Sequence, residues 1–344
     1  MTEFNGENGY SSLMCRSNEP HHTVFLHDFP LSDAMVANLR GDLADAPTTV
    51  HFVDLTGDPD AILDALRERG IDLAGDYVSI QLLTPSFDNA EAARKVFDQL
   101  PHGDLGKIDL PLDDEFTPER AEYLIDVIRR SDYHEQADVA DRFYRLLRSR
   151  KPYQVGITTR DGSLQINDDT GWYMLAGPLT PKEARLLPGG EVAYVGEAVS
   201  GAFTVDGALL ATPQRPEAAE AATAMAALGG RLSEDPVTVH IEAGRVTAVT
   251  SRGGLAEELT ALTPLDRYGT VTEVGISFNR ACHPFVHGWN AASNEGRPGV
   301  HIAIGGDPDP ERKDFARAAK LVHLDLMAAT TAVEINGQAF MRTE

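Results

Sequence analysis

Two histidines sit inside strand-like runs late in the chain. In Leu321-Val322-His323-Leu324-Asp325-Leu326, alternation puts Val322, Leu324 and Leu326 on one face and His323 with Asp325 on the other. An imidazole and a carboxylate side by side either ligate one ion, bracket two, or form a neutral hydrogen-bonded pair. In Gly299-Val300-His301-Ile302-Ala303-Ile304-Gly305, His301 opposes an apolar Val/Ile face and shares its own with the small Ala303. Glu273 is a lone acid in Thr272-Glu273-Val274-Gly275-Ile276, and Glu191 stands where the turn Pro188-Gly189-Gly190 enters a strand. Each has a plainer reading: a satisfied histidine, an acid paired with an arginine such as Arg280, a loop acid. Several acids and imidazoles on strands of one domain favour mutual neutralisation by a cation, because such groups are costly to bury alone.

The elements that must position these residues fall into two halves. In the first, Thr23–His27, Thr49–Leu55 and Tyr77–Leu83 read as strands. They alternate with helices over Ser32–Leu43, Asp60–Arg69, Ala90–Leu100, Thr117–Arg130 and His134–Arg148. Alternation of this kind predicts βαβ units on a mostly parallel sheet. After Lys151 strands come in pairs around glycine turns: Val155–Thr159 with Ser163–Asn167, Ala202–Val205 with Ala208–Ala211, Val237–Ile241 with Val246–Thr250, and Ala332–Ile335 with Gln338–Met341. Asn336-Gly337 is the strongest of these hairpin signals. Helices are expected at Pro216–Leu228, Gly254–Leu262 and Glu311–Lys320. The predicted fold is α/β: an N-terminal α/β domain over 1–150 with a mostly parallel sheet, and an α+β domain over 151–344. The second has a mixed or antiparallel sheet and carries the metal site.

Composition narrows the partners. The 344 residues carry a formal charge of −23, with 42% hydrophobic residues. That surface disfavours nucleic acid, whose binders need a basic face, and anionic membranes. The N-terminus lacks the basic and apolar regions of a secretory signal and reads as a flexible or late-ordering arm. No run approaches the ~18 apolar residues of a membrane span. Cys15 and Cys282 are the only cysteines, so neither a disulfide framework nor a CxxC site is expected and any metal must be held by His and carboxylate. A cytoplasmic location is the expectation.

Taken in order, LLPGGEVAYV, VSGAFTVDGAL, VTVHIEAGRVTAV, VTEVGISFN, GVHIAIG and VHLDLMAATTAVEINGQ resemble the thermophilic-type aminopeptidases, the M29 metallopeptidase or aminopeptidase T group, from about residue 155 to 341. The resemblance implies a dinuclear site of two divalent ions (Zn, Co or Mn) held by Glu191, Glu273, His301, His323 and Asp325; one carboxylate should bridge them, and position alone points to Glu191. It also implies a homodimer of two-domain chains and a small-peptide or other small-molecule substrate. Three carboxylates and two neutral imidazoles leave two divalent ions with residual positive charge, which lowers the pKa of a bound water toward ~7 and polarises an amide carbonyl. Glu197 is a candidate for the acid that shuttles protons.

The family's tyrosine shortly after its HIALG motif has no counterpart in Gly305-Gly306-Asp307-Pro308, which leaves the oxyanion donor unassigned. The segment with His283, His287 and Trp289 is expected to line a substrate pocket. Two alternatives remain open. One is a mononuclear Fe(II) ring-cleaving dioxygenase similar to 2,5-dihydroxypyridine 5,6-dioxygenase, a type that keeps the closing His-x-Asp but carries His at the Glu273 position and lacks the Glu191 and His301 counterparts; a 2-His-1-carboxylate site of His301, His323 and Asp325 is chemically open to this chain. The other is a specialised scaffold with altered chemistry.

Overall fold

The computed structural model describes residues 10–13, 20–109, 116–213, 218–262, 269–286, 293–305 and 322–343. The chain divides into two compact units, Met1–Ala137 with Gly177–Gly189, and Asp138–Ala176 with Gly190–Glu344.

The first unit is built on a parallel sheet. Strands β1 (His22–His27), β2 (Thr49–Asp54), β3 (Val78–Thr84) and β4 (Gly103–Asp109) are joined by Ala184–Leu187, which is β8 in chain order. The order is β2-β1-β3-β4-β8, and every pair is parallel. Buried side chains on both faces explain the nearly unbroken apolar strands. Val24, Leu26, Ile80, Ile62 and Val96 form one cluster, and Phe25, Met35, Leu39, Leu124 and Leu187 another. Helices start where capping chemistry places them. The Ser32 Oγ accepts from Met35 N before α2 (Asp33–Asp42), and Thr117 Oγ1 accepts from Arg120 N before α5 (Pro118–Arg130). Part of the expected flexible or late-ordering N-terminal arm is ordered. Tyr10–Leu13 is a helical turn with Tyr10 and Leu13 fully buried, and the Leu13 carbonyl accepts from Leu179 N.

The second unit holds two antiparallel sheets. One has seven strands: β5 (Val155–Thr159), β6 (Gly162–Ile166), β10 (Val199–Val205), β12 (Val237–Glu242), β13 (Arg245–Thr250), β17 (Ala332–Ile335) and β18 (Gln338–Arg342). The other has six, in the order β11 (Leu209–Pro213), β16 (Val322–Met327), β15 (Gly299–Ile304), β14 (Val271–Ser277), β9 (Glu191–Tyr194) and β7 (Trp172–Leu175). Leu164, Phe203, Val239 and Val333 of the first sheet share one hydrophobic cluster with Val192, Val274, Ile302 and Leu324 of the second.

Three of the four expected hairpins form. The fourth does not: β10 pairs with β6 and β12, while β11 pairs with β16. Asp206-Gly207 is therefore a corner between sheets. Gly207 N donates to Met327 O, the Asp206 carboxylate accepts from Ala329 N, and a side chain at Gly207 would sit 2.7 Å from the Phe285 ring. The helix expected over Glu311–Lys320 lies outside the described residues. Among those described, no helix is long and apolar enough to cross a membrane.

Candidate metal centre

The six-stranded sheet buries one face in the core and turns a polar face the other way. Register fixes who meets whom: Glu191 pairs with Ser277, Gly275 with both Ala193 and His301, and Ala303 with both Glu273 and Asp325. Side chains on one face alternate along each strand, so Glu191, Glu273, Ser277, His301, His323 and Asp325 all project from this face. The small residues Ala193, Gly275 and Ala303 stand between them. Gly275 is required by space: a Cβ there would lie 2.0 Å from His301 Cε1 and 2.3 Å from Nε2, so the imidazole lies across the glycine.

Four side chains converge. Oxygen or nitrogen atoms of Glu191, Glu273, Glu295 and His301 all lie within 4.8 Å of one another. His301 Nε2 is 3.6 Å from Glu191, 3.7 Å from Glu295 and 4.0 Å from Glu273. Glu191 is held at the strand entrance because Gly190 N donates to Leu175 O and Gly190 O accepts from Phe278 N. Positive φ at Gly189 and Gly190 makes that turn possible. Ser277 Oγ donates to Glu191 at 3.1 Å. Glu295 comes from the helical turn Ser293–Gly296, whose end is tied by Asn279 N to Gly296 O. The surrounding polar, glycine-containing residues have no periodicity, which is why sequence reasoning missed Glu295. His323 and Asp325 face one another at 3.1 Å on the adjoining part of the same face.

The electrostatics follow from crowding acids in a desolvated place. Burial, then the charge of Glu273, pushes the Glu191 carboxyl well above its usual range, against the Ser277 hydrogen bond. Burial raises Glu273 to about 7, opposed by His323 and by a hydrogen bond from the Tyr173 hydroxyl. Burial lowers His301 to about 4, keeping it neutral. For His323 burial acts downward, but Asp325, Glu273 and a backbone hydrogen bond with Gly305 together outweigh it and the imidazole rises to about 9. Tyr173, on β7, is raised by burial and by Glu273 and Glu191, so its phenol stays protonated and remains a donor.

The donor set fits a divalent cation. His301 is 1% exposed and neither ring nitrogen has a hydrogen-bond partner; Glu273 Oε1 is likewise buried without one. Neutral imidazole nitrogen plus carboxylate oxygen is the chemistry of divalent ion sites, and a cation would satisfy those orphaned atoms at once. Glu197 is not brought to this cluster. It is exposed beyond the end of β9, with its backbone beside Gly244, so the acid role expected of it has no support in its position. His283 is exposed. His287 and Trp289 lie outside the described residues.

Fold and site together define an α/β protein whose second unit carries a candidate metal centre on one sheet face. A family model described as crocagin biosynthetic protein CgnE/B matches residues 190–329, the stretch that contributes every acid and histidine of that face. No curated protein sequence matches the chain. Among solved structures, wild-type AmpT from Thermus thermophilus is similar at 15% identity with a TM-score of 0.50, over 94% of this chain and 92% of that one. AmpT is an M29 aminopeptidase, so the expected resemblance extends to a distant likeness of fold, whereas the matching family model is a different one.

Proposed function

We propose that the chain is a metal-dependent hydrolase that cleaves an amide bond of a small peptide-like substrate. The observation that carries this reading is the fully buried His301 imidazole, unpartnered at both nitrogens, within 4.0 Å of three carboxylates. Glu191, Glu273, Glu295 and His301 would hold one divalent ion, and His323 and Asp325 supply donors for a second. When bound, such ions supply Lewis acidity and a water of lowered pKa. The chain's own residues do the rest. Ser277 and Tyr173 donate to Glu191 and Glu273 and fix their orientation. Glu295 is the most exposed of the three acids, at 25%, and is the best placed to exchange a proton with solvent. The reading carries with it a cytoplasmic homodimer.

Metal analysis of the purified protein tests it, together with hydrolysis of aminoacyl arylamides before and after chelation. One or two Zn, Co or Mn ions per chain and chelator-sensitive hydrolysis are expected. A single oxygen-sensitive iron with O₂ uptake would instead support the ring-cleaving alternative. The family model favours a second reading in which the centre serves a biosynthetic step, as the name of that family states for its members. Bound metal without hydrolysis of any arylamide would support that one.

A further inference from the structure

The face that carries His301 continues to Gly299, which is in register with Ser277. There it meets an arginine. A Cβ built on Gly299 would lie 3.8 Å from Arg297 Nη1, so the guanidinium overhangs the same face. Arg297 is 9% exposed. Its Nη1 donates only to the carbonyls of Pro298 and Ala329, at 3.4 and 3.3 Å, and Nε has no acceptor. Among the described residues no acid forms an ion pair with it, and burial disfavours its charge. The guanidinium stacks over Phe285, 4.1 Å from the ring centroid. Phe285 in turn packs with Ala208, Leu210 and Met327. Met327 is in register with His301 and Leu210 with Asp325, so this apolar patch adjoins the cluster on the same face.

A desolvated guanidinium without a counter-charge is a costly arrangement, and an aromatic face offsets only part of it. An anion arriving with a ligand would complete it, and carboxylate is the group whose geometry matches the arginine fork. We propose that Arg297 anchors a carboxylate of the substrate, with the half-buried Phe285 ring as the apolar surface beside it. The substrate class is then small N-acyl amino acids, dipeptides included. Gly299 and His301 are two residues apart, roughly 7 Å along the strand. In such a substrate three bonds separate the scissile carbonyl carbon from the carboxylate carbon, a span that fits with a hydrogen bond at the arginine end. The scissile amide rests on the hydrolase reading; the carboxylate anchor rests on Arg297 alone.

The test is equilibrium binding of N-acetyl-L-leucine and N-acetyl-L-leucinamide to the full chain by calorimetry. The two probes differ only in carboxylate against neutral carboxamide. The acid is expected to bind roughly 30-fold tighter or more. Arg297→Met should erase the difference, and Arg297→Lys should keep part of it, since lysine retains the charge without the fork. Equal affinity of the unaltered protein for both probes overturns the anchor without any variant, as does failure of the acid to bind. Persistence of the preference in a cooperatively folded Arg297→Met protein overturns it too. Preference for the acid without hydrolysis of it or of arylamides keeps the anchor and removes the hydrolase reading. Arylamide hydrolysis with equal probe affinities does the reverse.

Discussion

Replacing Gly275 with alanine adds one methyl group at a crowded point of the candidate metal centre. The new Cβ would stand 2.0 Å from His301 Cε1, 2.3 Å from Nε2 and 2.8 Å from Nδ1. Ordinary contact begins near 3.4 Å, so the ring must move by about 1.4 Å. The backbone cannot easily yield, because Gly275 pairs with Ala193 on one side and His301 on the other in the middle of the sheet. The imidazole therefore swings away from Glu191, Glu273 and Glu295. Metal–ligand distances tolerate about 0.2 Å, so the histidine is lost as a donor. Overpacking of this kind costs about 1–3 kcal/mol of stability. Metal titration by calorimetry and urea unfolding should show an affinity loss of at least about 100-fold and a lower midpoint. Gly230→Ala, where nothing lies within 4 Å, is the control and should alter neither. Wild-type metal affinity in Gly275→Ala would refute the placement of His301 in the centre.

The other predictions concern separate parts of the chain. Glu295→Gln should weaken metal binding by about tenfold or more while leaving the urea midpoint of the metal-free protein unchanged or raised, because it removes one of three crowded acids; unchanged affinity would exclude Glu295 as a donor. Asp104 is raised to about 6 by burial, against hydrogen bonds from Ser79 and Tyr77. It holds its proton more tightly folded than unfolded, so its contribution is most favourable below pH 3.8 and declines as pH rises toward 6, by about 3 kcal/mol in all. Asp104→Asn should flatten that part of the stability–pH curve, and urea midpoints from pH 3.5 to 7 would show it. Asn336→Ala should cost about 2–4 kcal/mol. It removes bonds to Gln154 N, Leu146 O and Leu147 O and leaves alanine at a φ of 52°; Asn336→Gly, free of the backbone strain, should cost about 1 kcal/mol less.

Local patterns made much of the fold legible. Apolar strands between capped helices announced the parallel sheet, and Gly162, Gly244 and Gly337 marked turns that do form hairpins. Asp206-Gly207 carries the same local signal yet turns a corner, because its deciding partners, Met327 and Ala329, lie some 120 residues away. The four-residue strands β7 and β8 are too short to show a period, so the return of residues 177–189 to the first unit was invisible. For the site, alternation identified the inward pairing of His323 with Asp325 and the isolation of His301. It carried no information about Glu295 or Arg297, which sit where no regular element imposes a pattern. Asn336 was readable as a turn residue, but its bonds to the end of α6 (Tyr133–Leu147) were not.

The centre has a kinetic consequence. Its donors come from β9, β14, β15 and the turn before β15, so Glu191 and Ser277 become neighbours only after 86 positions of chain have closed between them. Closing such separations is slow, and contacts of this kind form after local structure is in place. A cation that recognises only the assembled face has nothing to hold during the early steps. Its effect falls on the lifetime of the folded state: occupancy slows unfolding and leaves the rate of folding nearly untouched.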